Sequence, residues 1–403
     1  MESLKELYRI GQGPSSSHTM GPRKAADIFR MRNPKAQKFR VTLYGSLAAT
    51  GKGHFTDVAI IEALSPTETE LIWNTLTFLP FHPNGLDFEA LGPSGAIIDK
   101  WRVYSVGGGA ISDDDNIMDT RALPYNINNM SELLRWCETE GRTFWEFVEL
   151  SEGKDIWIFL QEVWEAMQKA IERGLDNEGV LPGTLKLARK ASTYHIKASN
   201  KSSTLRTVGQ LFAYGLAVSE ENASGGIVVT APTCGSCGVL PAVLKFLQEQ
   251  NQIPTQRIIH ALATAGLIGN FVKTNASISG AEVGCQGEIG VACAMASAAT
   301  CQLLGGTPTQ IEYAAEMGLE HYLGLTCDPI DGYVQIPCIE RNALSAVRSF
   351  ECAAYALYSD GKHRIPFDTV VETMFKTGLD LCSSYKETSI GGLAKEWINL
   401  LGI

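Results

Sequence analysis

The sequence predicts an α+β protein in which an N-terminal α/β domain precedes a mostly α-helical domain. Extended runs with strand-like alternation occur early, at residues 39–45 and 101–106. Alternating polarity of this kind suits a sheet with one buried face. From about residue 181 onward, segments rich in Ala, Leu and Gly dominate, and the one clear strand-like run is 226–230. The second part is therefore predicted to be helical.

Local signals then divide the chain. Thr56 and Asp57 precede an apolar run and predict a capped helix at 58–64. A segment rich in Gly and Asp at 107–115 is typical of turns and of a domain edge. Amphipathic runs between 131 and 175 predict helices that connect the two parts. The predicted organisation is an α/β domain at 1–120, a helical linker at 121–154 and a helical domain at 155–403.

The composition is that of an acidic enzyme. The 403 residues carry a formal net charge of −10, with 45% hydrophobic and 19% charged side chains. There is no Lys/Arg cluster to neutralise phosphates, so no nucleic-acid partner is expected. The most apolar stretch, 257–272, contains polar residues and is shorter than a bilayer span, so no membrane partner is expected either. Without an apolar signal core at the N-terminus, we expect a cytoplasmic protein whose cysteines are free thiols or metal ligands.

Three cysteines lie in polar surroundings rich in Gly or Pro, where helical patterns break: Cys285, Cys327 and Cys338. Three thiolates can hold three irons of a 4Fe–4S cluster and leave the fourth iron open to substrate as a Lewis acid. Their separations along the chain match no compact ferredoxin run, so spacing alone does not identify a cluster. Core packing is the interpretation for the cysteines in apolar runs or near a chain end, namely Cys137, Cys293, Cys301, Cys352 and Cys382.

A Cys-x-x-Cys pair, Cys234 and Cys237, raises zinc or redox chemistry as alternatives. Zinc sites normally use a second pair, and none follows at a recognised spacing. A thioredoxin-type pair would need a different strand and helix context. We interpret this small-residue segment as the lining of a pocket.

Five consecutive hydroxyl or imidazole side chains stand between glycine–proline pairs just before a predicted helix at 23–30: Ser15, Ser16, Ser17, His18 and Thr19. Helix N-termini present free N–H groups and favour anions. A simple Ser/Thr cap would explain one such residue. This density of donors predicts a site for a carboxylate or a similar anion.

Two histidines lie in loops where an acid or base could act. His54 ends a segment that follows a strand and precedes a helix, but the segment fails the phosphate-loop pattern. A structural role for His54 is equally open from spacing alone. His82 lies in a Pro-Asn-Gly turn, for which a turn role is the stronger interpretation.

A polar stretch at 273–282, which includes Asn275 and Ser277, interrupts otherwise apolar helices just before Cys285. Burying polar groups is unfavourable unless they form hydrogen bonds with each other or with a ligand. We therefore expect this stretch to be functional.

The motifs together closely resemble the iron–sulfur-dependent bacterial L-serine dehydratases, also called L-serine ammonia-lyases. The resemblance runs nearly end to end and is specific, because many long motifs occur in the same order. They are found at residues 13–19, 44–47, 50–54, 104–109, 178–183, 275–291, 324–329 and 334–342.

The resemblance implies that Cys285, Cys327 and Cys338 hold a 4Fe–4S cluster with one iron open to substrate, without pyridoxal phosphate. It implies that His54 is the catalytic base and that His82 is a functional histidine on a mobile loop. It further implies that Ser15, Ser16, Ser17, His18, Thr19, Asn275 and Ser277 help to form the substrate pocket. The N-terminal domain would then complete the active site.

The resemblance also implies that L-serine is converted to pyruvate and ammonia in amino-acid catabolism and gluconeogenesis, and we expect a homodimer. Three departures stand out. The segment 61–82 is shorter than in familiar single-chain relatives, which puts allosteric behaviour seated there in doubt. Residues 399–403 lack the cysteine with which some relatives cap the cluster, and Cys382 is not expected to replace it. Position 234 is cysteine where close relatives often carry asparagine.

The sequence leaves three other functions open. The first is a pyridoxal-dependent lyase, which would use a Schiff-base lysine. The second is the same iron–sulfur chemistry on another β-substituted amino acid, such as L-threonine or L-cysteine. The third is a serine-binding sensor without turnover.

Overall fold

The computed structural model describes residues 1–113, 123–200 and 203–402. Its strands are β1 Ile10–Gln12, β2 Lys38–Tyr44, β3 Glu68–Asn74, β4 Gly85–Leu91, β5 Ile97–Gly107, β6 Ala110–Asp113 and β7 Ile227–Val229. Its helices are α1 Gly21–Arg32, α2 Gly45–Thr50, α3 Thr56–Leu64, α4 Met130–Glu140, α5 Phe144–Glu152, α6 Ile156–Asp176, α7 Ala191–Ser199, α8 Ser203–Ala223, α9 Val239–Asn251, α10 Thr255–Asn275, α11 Gly280–Val283, α12 Ile289–Leu303, α13 Pro308–Glu320, α14 Cys338–Leu357, α15 Phe367–Asp380 and α16 Gly392–Leu401.

The α+β prediction is confirmed, with a mixed sheet in the N-terminal region and helices in most of the remainder. The sheet has the order β3-β2-β4-β5-β6, with β2 parallel to β3 and every other neighbouring pair antiparallel. Val41 on β2 pairs with Leu71 on one side and Phe88 on the other. The period-2 pattern of β2 buries Phe39, Val41 and Leu43 against α1 and α3.

The predicted cap of α3 is wrong in its detail. The helix begins at Thr56, two residues before the predicted start, and its N-cap is Phe55 in the left-handed conformation, with no side chain capping it. The Thr56 hydroxyl instead donates to the backbone carbonyl of His18, at 2.6 Å. A tertiary hydrogen bond to the neighbouring loop has replaced the local cap.

The first twelve residues pack with the helical part of the chain. Strand β1 pairs antiparallel with β7, far along the sequence. Leu4, Leu7 and Tyr8 are fully buried in the same hydrophobic core as Trp164 on α6. Helices α4 and α5, within the predicted linker, add residues to this core as well. The predicted boundary at residue 120 lies outside the described residues.

Helix α12 runs through the middle of the helical part. Its small side chains let α10, α13 and α14 pack closely around it, and residues 289–301 are all buried. No helix among the described residues is both long enough and apolar enough to cross a membrane.

The two parts of the chain meet closely at two glycines. A Cβ placed on Gly53, after α2, would lie 2.5 Å from the carbonyl oxygen of Gly332, in a loop of the helical part. Only glycine permits so close an approach of two backbones. This contact brings the end of α2 to the loops that precede α14.

Candidate active site

A small cavity lies where the N-terminal loops meet the helical part. It is lined by Pro14, Ser15, His54, Gly235, Cys285, Glu288, Ile289, Cys327, Pro329, Val334, Cys338 and Glu387. The structure therefore brings together Cys285, Cys327 and Cys338, which are widely separated in sequence. It also places the predicted base His54 and the hydroxyl residue Ser15 at the same cavity.

The three cysteines are carried by three separate segments. Cys285 lies in a single 3₁₀ turn just before α12, Cys327 in a loop, and Cys338 at the first position of α14. One ligand atom each from Cys285, Cys327 and Glu288 all lie within 4.8 Å of one another. Donor atoms this close can share one metal group.

Backbone contacts fix Cys285 beside the Cys327 loop. Gly284 adopts a φ of +77°, and a Cβ there would lie 2.7 Å from the Leu325 carbonyl oxygen. The Gln286 N–H donates to that same oxygen at 3.3 Å, and its side-chain oxygen accepts from the Gly324 N–H at 2.9 Å. The glycine-rich sequence around Cys285 thus has a local function, which is to allow this close approach.

Arg341 supplies positive charge beside the three thiols. Its guanidinium donates to the Thr326 carbonyl at 2.8 Å and lies 3.8 Å from Asp328. Burial by itself would lower the pKa of Arg341, but the neighbouring thiols and Asp328 raise it above its usual value. A fixed cation of this kind stabilises thiolates. Sequence analysis found the motif that contains Arg341 but gave the residue no role.

Glu288 is a second residue that sequence analysis missed. One of its oxygens accepts from the Thr233 hydroxyl at 2.7 Å, and the other lies 3.9 Å from the sulfurs of both Cys285 and Cys327. Burial raises its pKa, while the hydrogen bonds from Thr233 and the two thiols oppose that effect. Both oxygens of Glu288 are therefore engaged on the cysteine side of the cavity.

His54 presents one ring nitrogen to the cavity. Its Nδ1 lies 2.9 Å from the carbonyl oxygen of Thr50, which can only accept, so Nδ1 carries the proton. Burial lowers the pKa of His54 to about 4, and the ring is therefore neutral at pH 7. Its Nε2 then holds a free lone pair and lies 3.8 Å from Glu387. Such an atom can accept a proton.

His18 stands behind His54, with ring centroids 4.6 Å apart. Its Nε2 lies 3.3 Å from the Ser46 hydroxyl and its Nδ1 lies 2.9 Å from the Ser17 hydroxyl. Ser46 already donates its hydrogen to the Glu387 carbonyl, so it accepts from Nε2–H of His18. Burial, with the neighbouring His54, lowers the pKa of His18 well below its usual value. Both imidazoles are therefore neutral, and His54 is the one that borders the cavity.

The predicted hydroxyl cluster forms one turn of π-helix, Ser16–Met20, directly before α1. Ser15 caps this turn by accepting from the His18 N–H at 3.0 Å, and it also lines the cavity. Thr19 donates to the His54 carbonyl at 2.7 Å. Ser16 is buried beside these residues. Ser15 is thus the member of the cluster that borders the cavity, and Thr19 positions the His54 segment.

Glu387 enters the cavity from a loop between α15 and α16. Its backbone N–H donates to the Cys327 carbonyl at 2.8 Å, and its own carbonyl accepts from Ser46 at 2.7 Å. The Cys327 N–H in turn donates to the Tyr385 carbonyl at 2.8 Å. The sequence around Glu387 is typical of a charged surface loop, and no pattern in it predicts burial. Only the return of the chain to Cys327 brings this carboxyl inside.

The structure places three other predicted site residues outside the cavity lining. His82 is buried beside His18, accepts from the Asn84 N–H at 3.1 Å, and has its pKa lowered by burial to about 4. Asn275 is exposed at the end of α10, where its amide donates to the carbonyls of Asn128 and Phe271. Ser277 accepts from the Ser279 N–H. Asn275 and Ser277 thus make hydrogen bonds to the backbone within and around the segment that leads to Cys285.

The Cys-x-x-Cys pair is buried. Burial raises the pKa of the Cys234 thiol well above its usual value, and Cys234 contacts the sulfur of Met20 at 3.8 Å. Cys237 is likewise buried with a raised pKa. Gly235, between them, borders the cavity, which fits the pocket-lining interpretation.

The donor set and the histidine together define a class of protein. Three thiols and a neutral histidine border one cavity, and the half-buried Arg341 lies beside the thiols; in an enzyme, such a donor set could hold a metal group.

Comparison with known proteins gives the family. The family model described as "Serine dehydratase alpha chain" matches residues 57–394, and "Serine dehydratase beta chain" matches residues 3–72. The chain is 40% identical to an L-serine dehydratase of Haemophilus influenzae, covering 98% of this chain and 99% of that protein. It is 40% identical to one of Streptomyces coelicolor over 97% of this chain and 98% of that protein. It is 36% identical to one of Helicobacter pylori, with 98% of each covered. The chain belongs to the serine dehydratase family.

Proposed function

We propose that this chain is an L-serine ammonia-lyase, a lyase that converts L-serine to pyruvate and ammonia at the cavity described above. Membership of the serine dehydratase family supports the reaction and the substrate. The single structural observation that carries the proposal is that Cys285, Cys327, Cys338 and His54 border one cavity. Three thiols that would hold a metal group and a histidine that would accept a proton border the same small space, and this supports the proposed reaction.

We propose a 4Fe–4S cluster as the cofactor and no pyridoxal phosphate. Cys285, Cys327 and Cys338 would hold it, and the donor chemistry fits because thiolates are the ligands such clusters prefer. The half-buried guanidinium of Arg341 adds the positive charge that three thiolates need. When bound, the cluster supplies Lewis-acid chemistry through an iron that has no protein ligand.

His54 would take the proton from Cα of the substrate. That C–H bond is a poor acid, so a base held next to it is required. Nε2 of His54 has a free lone pair because Nδ1–H is held by the Thr50 carbonyl. After Nε2 accepts a proton, the same hydrogen bond becomes charge-assisted and stabilises the cationic ring.

Ser15 would hold the substrate carboxylate from the N-terminal side. Its hydroxyl lies within the cavity lining at the start of the turn that leads into α1. Hydroxyl groups and N–H groups at such a turn suit an anion. The aminoacrylate formed by loss of water then tautomerises and hydrolyses to pyruvate and ammonia without further catalysis.

One anaerobic experiment tests the proposal. Iron and sulfide are counted per chain, and pyruvate is measured after addition of L-serine, L-threonine or L-cysteine. We expect about three to four irons per chain, the content of a 4Fe–4S cluster, and rapid pyruvate formation from L-serine. A visible aldimine band with loss of activity on borohydride treatment would instead indicate a pyridoxal enzyme. Tight serine binding without pyruvate release by the iron-loaded protein would indicate a sensor.

A further inference from the structure

Glu387 is a buried carboxyl that the mechanism above does not use. The residue is only 5% exposed and borders the cavity with the three cysteines. Its Oε1 lies 3.5 Å from Nδ1 of His18 and 3.8 Å from Nε2 of His54. Its Oε2 is buried and accepts no hydrogen bond from the residues that the structure describes.

Glu387 holds its loop in place through its backbone N–H and carbonyl, which bond to Cys327 and Ser46. The residue also adopts a φ of +57°, a conformation that side chains other than Gly, Asn and Asp rarely take. A buried acceptor left without a hydrogen bond is unfavourable. Unfavourable features that a fold retains in a cavity point to a ligand.

The second carboxyl of the cavity cannot take the same role. Glu288 has one oxygen bonded to Thr233 and the other directed at the sulfurs of Cys285 and Cys327. Glu387 instead faces the two histidines, which are neutral at pH 7 because burial lowers their pKa values. Among the described lining residues, it is the carboxyl with a free oxygen on the side of the base.

We propose that Glu387 binds the α-ammonium group of the substrate and so selects amino acids over hydroxy acids that lack this group. The inference rests on the proposed function. An ammonium group offers three donors and a positive charge, and it would pair the free Oε2 by a charge-assisted hydrogen bond. Burial, with the neighbouring Glu288 and Cys285, raises the pKa of Glu387 well above its usual value, and no arginine or lysine among the described residues contacts it directly. An ammonium group beside it would favour the ionised carboxylate.

The position relative to His54 supports the same assignment. The ammonium nitrogen and the reacting hydrogen are attached to the same Cα. An ammonium held by Glu387 therefore places Cα next to Nε2 of His54, which lies 3.8 Å from the carboxyl. Glu387 would thus orient the substrate for the base as well as select it.

The test compares two ligands that differ in the ammonium group, L-serine and 3-hydroxypropanoate. Turnover is slowed with His54→Ala, and binding is measured by calorimetry on cluster-loaded protein with and without Glu387→Gln, with pyruvate assayed afterwards to confirm that little L-serine has reacted. We expect the second substitution to weaken L-serine binding by roughly 10- to 100-fold, as for loss of a charge-assisted hydrogen bond. Binding of 3-hydroxypropanoate should change by less than about twofold, because it makes no such bond.

Two further variants separate the possible outcomes. Glu387→Asp keeps a carboxylate and should preserve part of the preference for L-serine even if Glu387→Gln folds poorly. Glu396→Gln, on the exposed side of α16, is the matched control and should leave both affinities unchanged. An equal loss for both ligands would overturn the ammonium assignment. Loss of bound iron from ligand-free Glu387→Gln protein, or a changed electron paramagnetic resonance spectrum of its one-electron reduced cluster, would overturn it too, since Glu387 would then be an iron ligand.

Failure of this inference can be told apart from failure of the proposed function. If the His54→Ala protein binds L-serine and the wild type forms pyruvate, an unaffected Glu387→Gln variant refutes only the role of Glu387. If the His54→Ala protein binds neither ligand and the wild type forms no pyruvate, the proposed function and this inference both fall.

Discussion

Nδ1 of His54 lies 2.9 Å from the backbone carbonyl oxygen of Thr50, four residues earlier in the chain. Because a carbonyl only accepts hydrogen bonds, this contact fixes the proton on Nδ1 and leaves Nε2 as a base. The neighbouring Gly53 allows the same segment to press against Gly332. The imidazole is therefore fixed both in tautomer and in position.

Substitution of His54 by alanine should remove the base without removing the cluster. We expect kcat for pyruvate formation to fall by roughly 10²- to 10⁴-fold, the usual contribution of general-base catalysis. Iron content and the visible absorbance of the protein should stay unchanged. Steady-state kinetics under anaerobic conditions measures the first effect, and iron analysis measures the second.

A matched histidine serves as the control for that variant. His260 stacks on Trp145 at 3.9 Å and is not among the residues that line the cavity. His260→Ala should keep kcat within about twofold of the wild type, since it touches no reacting group. A rise in KM alone for His54→Ala would make His54 a binding residue, and His82 would be the next candidate base.

Serine substitutions at Cys285, Cys327 and Cys338 should each lower the bound iron and abolish activity. The hydroxyl of serine is a poor substitute for a thiolate at iron. Cys382 is exposed and does not line the cavity, so Cys382→Ser provides the control and should retain full iron content. Iron and sulfide analysis after anaerobic reconstitution measures the difference. Normal iron binding by any one of the three cavity variants would remove that cysteine from the ligand set.

Exposure to air should inactivate the enzyme reversibly. An iron without a protein ligand is accessible to oxidants, whereas one held by four thiolates is better shielded. Activity should decline under oxygen and return after treatment with ferrous iron and a thiol under argon. Full activity in chelator-treated, metal-free protein would contradict the proposed cofactor.

Substitution of Gly53 by valine should separate the two parts of the active site. A Cβ at this position would lie 2.5 Å from the Gly332 carbonyl oxygen, so the His54 segment would have to move away. A displacement of about 1 Å can lower the rate roughly 10²-fold, while the cysteines would still bind iron. Lys52→Ala changes the adjacent, exposed side chain and should leave the rate unchanged. Loss of iron from Gly53→Val would instead indicate general unfolding.

The stability of the N-terminal sheet should depend on pH through Asp87. Burial by itself would raise the pKa of Asp87, but hydrogen bonds from Arg102 and Tyr44 outweigh it and hold the pKa below its usual value. The two bonds from Arg102 both measure 2.7 Å. A folded-state pKa below the unfolded one stabilises the protein above roughly pH 4. That stabilisation is lost as the pH falls through the folded-state pKa.

Asp87→Asn should therefore lower Tm at pH 7, and the difference from the wild type should shrink below about pH 4. Thermal unfolding followed by circular dichroism at several pH values measures both effects. Glu68→Gln removes an exposed partner of Lys38 on the same sheet and should change Tm little, because exposed ion pairs contribute little stability. A pH-independent effect of Asp87→Asn would indicate a packing role instead.

Several elements were predictable because their signals are local. The alternation at residues 39–45 predicted a strand where β2 lies. The amphipathic pattern within residues 131–175 predicted helices, and α6 is the longest of those found there. Glycine or proline residues beside Cys285, Cys327 and Cys338 distinguish these three in the sequence from the cysteines predicted to pack in the core. The structure brings all three to one cavity, since the polar, glycine-rich context reflects turns that approach each other closely.

Other features depend on contacts between distant parts of the chain. The sequence alone predicts the fold class, the cysteine set and the hydroxyl cluster that contains Ser15, since each is marked by its neighbours. The role of His54 came from the resemblance to a family, because its neighbours leave a structural role equally open. Tertiary structure determines that β1 pairs with β7, that Asn275 lies at the surface, and that Glu387 is buried beside His54. A glutamate in a charged loop looks the same in sequence whether it is solvated or enclosed. Its burial depends on the return of the chain to Cys327, which is a property of the whole fold.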